Sequence, residues 1–212
     1  MPYMKGVHVS FDIVEKFIPR VPRQRCPGED MSIPRICVAD TILDAINAIP
    51  QAGFVMKIMK DLNLPVVVHA YYLAGNGIGN YEVQKYVPDA KPTGEFWITE
   101  KPQKVQRVDY QVTDFSTKEV IDPFGHNLTV ILDINLRRCR FQNNTENFLH
   151  SFGKISEKRE KRILKIFEEN SFRTVIASVG NEIKERKITK IETRVSLEEW
   201  RQTWKKLIII FS

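Results

Sequence analysis

Residues 17–39, FIPRVPRQRCPGEDMSIPRICVA, restrict the fold more than any other stretch of this sequence. Four prolines and four arginines fall within them. Because proline fixes φ and lacks a backbone N–H, this segment cannot form a helix or a central strand before its last residues, RICVA. We therefore expect a stiffened, extended loop that carries fixed positive charge and leads into a short apolar strand.

The first two-thirds of the chain have the patterns of an α+β domain. YMKGVHVS alternates as a strand, and DTILDAINAI has apolar residues at helical spacing behind a cap at Asp40 or Thr41. FVMKIMKDL is either a second helix or a continuation of the first after the PQAG break. Four further segments have strand composition: PVVVHAYYL, EFWITE, RVDYQVTDF and HNLTVILDINL. We predict an α+β fold with a split antiparallel or mixed β core and flanking helices.

The last third of the chain differs in its residue patterns and is richer in lysine and arginine. Ser156 precedes EKREKRILKIFEE, which has a narrow apolar stripe at helical spacing, whereas FRTVIASVG and KITKIETRV resemble strands. Ser196 and Glu199 form a capping box for a final helix. We expect residues 1–136 to form the core and residues 137–212 a basic α/β extension, either separate or packed on that core as one domain.

The two parts also differ in charge. Residues 1–136 hold 14 Lys and Arg against 16 Asp and Glu, whereas residues 137–212 hold 18 against 10. This asymmetry is typical of a polyanionic or acidic partner, but ordinary solvated helices produce it as well. Four phenylalanines of the basic region could stack on bases, although their spacing is also that of core residues: Phe141, Phe148, Phe152 and Phe172.

Several classes of protein are disfavoured. The apolar runs are far shorter than the roughly 20 residues that span a bilayer, and MPYMKGVHVS lacks the apolar core of a signal peptide. Three cysteines without metal-ligand spacing argue against both a metal site and a disulfide framework. No two of the four histidines have the short spacing of a zinc helix. We expect a cytoplasmic protein with no metal and no membrane association.

Three smaller features receive plain interpretations. AGNGIGN holds three glycines without a following Lys-Ser/Thr, so we predict a flexible surface loop rather than a phosphate-binding loop. His69 lies inside an apolar strand and is predicted to be a hydrogen-bonded core histidine. Cys26 lies among arginines that would lower its pKa, but phosphate binding explains those arginines more simply than a reactive thiolate does.

His8 and Ser10, in VHVS, open a series of elements in a suggestive order. The arginine-rich loop follows, then a strand and helix at 35–49, a further strand, and Glu95 at the start of another. This order resembles the ADP-ribosyltransferase-like superfamily, in its His…Glu branch. More narrowly, HVS…FIPRVP…GED..IPRICVA is similar to short uncharacterised proteins of phages and bacteria. The resemblance covers roughly residues 1–115.

The resemblance implies an NAD-binding protein that transfers ADP-ribose to a protein or nucleic acid, or hydrolyses NAD, in a host cytoplasm if phage-encoded. Glu95 would stabilise the oxocarbenium-like transition state, while His8 and Ser10 would fix the pose of the cofactor. The superfamily's stacking tyrosines would correspond to one or more of four residues, of which we take Tyr71 as the candidate: Tyr71, Tyr72, Tyr81 and Tyr86. The pyrophosphate would contact arginines, whose planar donors suit it: Arg20, Arg23, Arg25 and Arg35.

Two alternatives stay open. The same scaffold could bind a nucleotide or a protein as an inhibitor without catalysing a reaction. The basic residues 137–212 could instead engage a protein or a nucleic acid, and nucleic-acid binding would weaken steeply with salt. In addition, Glu29 and Asp30 could neutralise the arginines of the loop internally, in which case these arginines would support packing rather than a ligand.

Overall fold

The computed structural model describes residues 2–22, 28–61, 63–87, 90–121, 125, 127–140, 143–151 and 153–189. They form an antiparallel six-stranded sheet with flanking helices, which confirms the predicted α+β class. The strands are β1 (Tyr3–Ser10), β2 (Ile36–Val38), β3 (Val66–Ile78), β4 (Phe96–Ile98), β5 (Lys104–Ile121) and β6 (Asn127–Arg138). The helices are α1 (Ile42–Asn47), α2 (Ala52–Asp61), α3 (Asn80–Val83), α4 (Ala90–Thr93), α5 (Asn144–Ser151), α6 (Glu157–Glu169) and α7 (Phe172–Thr189).

The chain divides into two compact units. The first comprises Met1–Gly53 and Val67–Phe141, and the second comprises Phe54–Val66 and Gln142–Ser212. The first unit therefore contains nearly the whole sheet, and the second contains most of α2 together with α5, α6 and α7. Within the described ranges, no helix is both long and apolar enough to cross a membrane.

Four strands of the first unit pair in a closed order. β3 pairs with β1 over most of its length and with β4 at its C-terminal end, and β4 pairs with β2. The residue after β2, Ala39, returns to β1 through two backbone hydrogen bonds with Val7, both 2.9 Å long. This closure holds the N-terminal strand and the strand that follows the arginine-rich loop side by side.

The closed order gives these strands an inner and an outer face, because successive side chains alternate across a strand. The inner face holds a buried apolar cluster of Ile36, Val38, Tyr71, Leu73, Phe96 and Ile98. On the outer face, Trp97 packs with Val83 of α3, Ala90 of α4 and Val87 between these helices, and with the partly buried Cys37 and Ile78. The two faces present different chemistry, which matters for every candidate site residue.

Two glycines of AGNGIGN, Gly75 and Gly77, lie within β3, and Gly79 lies just beyond it as the N-cap of α3, so the prediction of a flexible surface loop there was wrong. Gly75 pairs with Met4, and Gly77 pairs with Ile98. A Cβ atom on Gly77 would lie 1.9 Å from the carbonyl oxygen of Trp97. Glycine is therefore required here by the close approach of two backbones, which composition alone does not distinguish from a mobile turn.

Helix α1 begins at the predicted cap and protects the edge of the sheet. The Oγ1 of Thr41 accepts the backbone N–H of Asp44, which satisfies a donor of the first helical turn. At the other end of α1, the side-chain amide of Asn47 donates to the carbonyl of Ile131 and accepts its N–H, at 2.9 and 3.0 Å. Asn47 thus pairs with the edge strand β6 in place of a further strand.

The second unit is helical where it is described. The segment FRTVIASVG lies in α7, so the prediction of a strand there was wrong. Its buried residues, Phe172, Val175, Ile176 and Val179, follow steps of three and four, which place them on one face of a helix. The predicted strand KITKIETRV lies outside the described residues from position 190 onward, and so does the final helix predicted from Ser196.

Candidate functional site

His8 lies where β1 and β2 separate, and its ring bonds to the chain in a defined tautomer. Its Nδ1 lies 2.9 Å from the carbonyl oxygen of Cys37. A carbonyl only accepts, so Nδ1 carries the proton. Burial lowers the pKa of His8, and the charge of Arg20 lowers it further, against the opposing effect of the Cys37 carbonyl. The neutral imidazole is therefore favoured, with Nε2 as a hydrogen-bond acceptor.

Tyr71 is the partner of His8 across the β1–β3 ladder, so both side chains lie on the inner face. Their ring centroids are 6.3 Å apart. The Tyr71 hydroxyl oxygen accepts the backbone N–H of Val14 at 2.8 Å and a hydrogen bond from Arg107. Burial raises the pKa of Tyr71, and these two donors oppose that effect. Tyr71 is therefore an uncharged, hydrogen-bonding ring beside His8.

Ser10 and Arg20 lie close to this pair. Ser10 follows His8 by two residues on the same face of β1, and its hydroxyl accepts the N–H of Asp12 at 3.1 Å. Arg20 is exposed, and its backbone pairs with Arg35 through hydrogen bonds of 3.0 and 3.2 Å. The charge of Arg20 is near enough to disfavour protonation of His8. An anionic group of a ligand at His8 could therefore bind the Arg20 guanidinium.

A polar chain behind Tyr71 was missed by sequence reasoning. The Nδ1 of His69 lies 2.8 Å from Oδ1 of Asp109, and the Nε of Arg107 lies 3.3 Å from the same oxygen. Arg107 in turn reaches Tyr71. His69 is fully buried and hydrogen-bonded, as predicted. The sequence signal for Arg107 and Asp109 was present in RVDYQV. These two charged residues are two positions apart, so they share one face of the strand.

Glu95 lies on the outer face, away from His8. It is 8 % exposed, and its Oε1 accepts the indole N–H of Trp97 at 2.7 Å. The Glu95 carboxylate also lies near the thiol of Cys37; burial and this carboxylate together raise the pKa of that thiol. Because Trp97 and Cys37 pack in the outer cluster, the sheet separates Glu95 from the His8 and Tyr71 rings.

Arg35 is buried within its own loop. Its guanidinium forms an ion pair with Glu29 and donates to the carbonyls of Ile33 and Asp30, at 2.8 and 3.0 Å. The same group lies 4.2 Å above the ring centroid of Trp97. Glu29 therefore neutralises Arg35 within the loop, which is one of the two possibilities that the sequence left open. Arg35 therefore organises residues 29–33 rather than facing solvent.

Asp30 stabilises a turn within this loop through its side chain. Its carboxylate accepts the N–H groups of Ile33 and Ser32, both at 2.8 Å, and these bonds lower its pKa. The remaining arginines proposed for the pyrophosphate, Arg23 and Arg25, lie outside the described residues, as does Cys26. Of the predicted site residues, the structure brings together His8, Ser10, Tyr71 and Arg20. The side chains of Glu95 and Arg35 bond elsewhere, although the backbone of Arg35 pairs with that of Arg20.

Two of the four phenylalanines considered for base stacking are buried inside the described part of the C-terminal third. Phe148 and Phe172 are fully buried, and both pack against Phe167, at centroid distances of 5.3 and 5.6 Å. Two lysines of α6 form ion pairs along the helix, Lys161 with Glu157 and Lys165 with Glu169. Phe141 and Phe152 lie outside the described residues.

Comparison with known proteins adds no relative to this picture: no family model, no curated protein and no solved structure matches the chain. The candidate site therefore depends on its own geometry. Within the described residues, no group of three or more His, Cys, Asp and Glu side chains is arranged to hold a metal ion.

Proposed function

We propose that this protein binds an NAD-type dinucleotide at the inner face of its sheet, beside His8, and that Glu95 takes no part in chemistry on that ligand. The observation that carries the proposal is the pairing of His8 and Tyr71 across β1 and β3, with Arg20 and Arg107 beside them. The proposal keeps the ligand implied by the superfamily resemblance and changes the role of the carboxylate.

Each group near His8 suits one part of such a ligand. The neutral Nε2 of His8 can accept from a ribose hydroxyl or a carboxamide N–H, which are donors. Arg20 and Arg107 can offer permanent charge and planar N–H groups to a pyrophosphate. The aromatic ring of Tyr71 can pack against a base or a nicotinamide ring. Sugar hydroxyls, phosphates and flat rings occur together in dinucleotides.

The position of Glu95 favours binding over catalysis. Cleavage of the nicotinamide–ribose bond needs a carboxylate beside the developing positive charge. Glu95 bonds to Trp97 on the outer face instead. A carboxylate close enough to act on Tyr71, that of Asp109, contacts His69 and Arg107 instead. A nucleotide-binding protein or inhibitor on this scaffold therefore fits these contacts better than a transferase that uses Glu95.

Calorimetric titration of the purified chain with NAD, followed by chromatography of the same sample for free nicotinamide, tests this proposal. We expect saturable binding with one site and no nicotinamide release. Absence of binding to NAD and to ADP-ribose would overturn the proposal. Release of nicotinamide that disappears in Glu95→Gln would show that the chain is an enzyme acting through Glu95.

A further inference from the structure

We propose that residues 11–20, here called the strap, hold the His8 site closed, and that the ring of Phe17 occupies the space that a ligand ring enters. The centroid of the Phe17 ring lies 5.4 Å from that of His8 and 4.9 Å from that of Tyr71, edge-on to both. Three rings thus pack together where two would otherwise face an opening. The identity of the ligand rests on the proposed function, whereas the closure rests on these contacts alone.

The strap is anchored at both of its ends. Phe11 is 2 % exposed and fixes the start of the strap in the core. Arg20 fixes its end through the two backbone hydrogen bonds with Arg35. These contacts keep the strap attached to the sheet whether its centre is closed or open.

The centre of the strap is held by side chains. The backbone N–H of Val14 donates to the hydroxyl of Tyr71, and Phe17 inserts beside the same ring. The neighbours of Phe17 point outward: Lys16 is exposed, and Ile18 is 66 % exposed. The side chains of Val14 and Phe17 both pack against the inner apolar cluster. A segment held by side-chain packing and one hydrogen bond to a side chain opens at a lower free energy than a paired strand does.

The ring contacts of Phe17 and the hydrogen bond of Val14 involve the same His8 and Tyr71 groups that would contact a ligand. Phe17 covers His8 and Tyr71, and Val14 uses the Tyr71 hydroxyl. A nucleotide that enters the site must therefore displace the strap. Its apparent affinity is reduced by the fraction of molecules in which the strap is open, as for any site that is populated only part of the time.

Chemical labelling of His8 tests the closure without any nucleotide. Diethyl pyrocarbonate modifies a neutral imidazole that solvent can reach, and mass spectrometry reads the modification at the peptide that contains His8. His8 is partly exposed beside Phe17, so we expect measurable labelling in the wild type, labelling about tenfold faster or more in Phe17→Ala, and a rate close to that of the wild type in Phe17→Leu, which keeps the bulk of the side chain. Equal rates in all three proteins would overturn the proposal.

A second pair of variants covers the case in which Phe17→Ala fails to fold. Val14→Pro removes the N–H that bonds to Tyr71, and Val14→Ala keeps it. We expect faster labelling of His8 in Val14→Pro than in Val14→Ala. The same labelling rate in both variants would contradict a strap held by this bond.

Titration with NAD separates the strap from the proposed function. If both hold, Phe17→Ala binds NAD more tightly than Phe17→Leu and the wild type, by about tenfold. If neither the wild type nor Phe17→Ala binds NAD but labelling of His8 still rises in Phe17→Ala, the proposed ligand is wrong and the strap stands. If Phe17→Ala binds NAD no more tightly than the wild type, Phe17 does not occupy the ligand position.

Discussion

The indole N–H of Trp97 donates to the Oε1 of Glu95 at 2.7 Å, on the face of the sheet opposite to His8. Trp97 is fully buried, so its N–H cannot bond to water if this acceptor is lost. The contact identifies Glu95 as part of the packing around α3 and α4. In the His…Glu arrangement this glutamate would act on the cofactor, whereas here its carboxylate accepts a hydrogen bond from a buried side chain.

Glu95→Ala should destabilise the protein, because it leaves the buried N–H of Trp97 without this acceptor. We expect a loss of about 1–3 kcal/mol in the free energy of unfolding, measured by urea denaturation. Glu95→Gln keeps an oxygen acceptor and should lose less. Equal stability of Glu95→Ala and the wild type would show that the hydrogen bond contributes nothing to the fold.

Arg35→Ala should destabilise the protein more strongly. It removes the guanidinium that pairs with the carboxylate of Glu29, which is almost fully buried, and that lies over the ring of Trp97. Removing one partner of a buried ion pair typically costs about 3–5 kcal/mol. Arg20→Ala is the matched control, since Arg20 is exposed and its substitution should change stability by less than about 0.5 kcal/mol. Similar losses in both variants would contradict the difference in burial.

His8 should make stability depend on pH in the weakly acidic range. Its pKa in the folded protein is below the ordinary value of 6.5, so between these two pKa values the unfolded chain binds more protons. The free energy of unfolding should therefore fall as the pH drops through 6.5 and stop responding to His8 below its folded pKa. The difference between the wild type and His8→Gln isolates this contribution. A difference that is constant from pH 8 to pH 4 would show that the pKa of His8 is not lowered by folding.

Asn47→Ala should loosen the edge of the sheet at β6. The variant removes two hydrogen bonds to the backbone of Ile131, and we expect a loss of about 1–3 kcal/mol. Hydrogen exchange at the Ile131 amide should be faster in this variant. Asn127→Ala, at the exposed start of the same strand, serves as the control. Unchanged exchange at Ile131 would mean that Asn47 does not protect the edge.

Local patterns were enough to predict most elements of the first unit. The cap and apolar spacing of α1, the strand composition of β3 and the alternation in β5 each depend on neighbouring residues. The glycines of β3 were misread because their cause is distant in sequence, namely the backbone of Trp97. The start of α7 was misread because its β-branched residues favour a strand, whereas packing fixes their helical spacing.

The candidate site depended more strongly on long-range structure. The pairing of His8 with Tyr71 joins residues 63 positions apart, and no local pattern specifies that register. Glu95 directly precedes β4, and the face on which it lies follows from the pairing of β4 with β2. The order of the elements along the sequence does not fix that pairing. The internal partner of Arg35 was among the acidic residues considered, but the sequence could not choose between that partner and a phosphate.

The affinity of NAD for His8→Ala and for Glu95→Gln, measured side by side with the wild type by calorimetry, tests the central claim most directly. We expect His8→Ala to lose binding and Glu95→Gln to bind as tightly as the wild type, because of these two residues only His8 lies on the inner face, where we propose that the ligand binds. Loss of binding in Glu95→Gln with His8→Ala unaffected would contradict it.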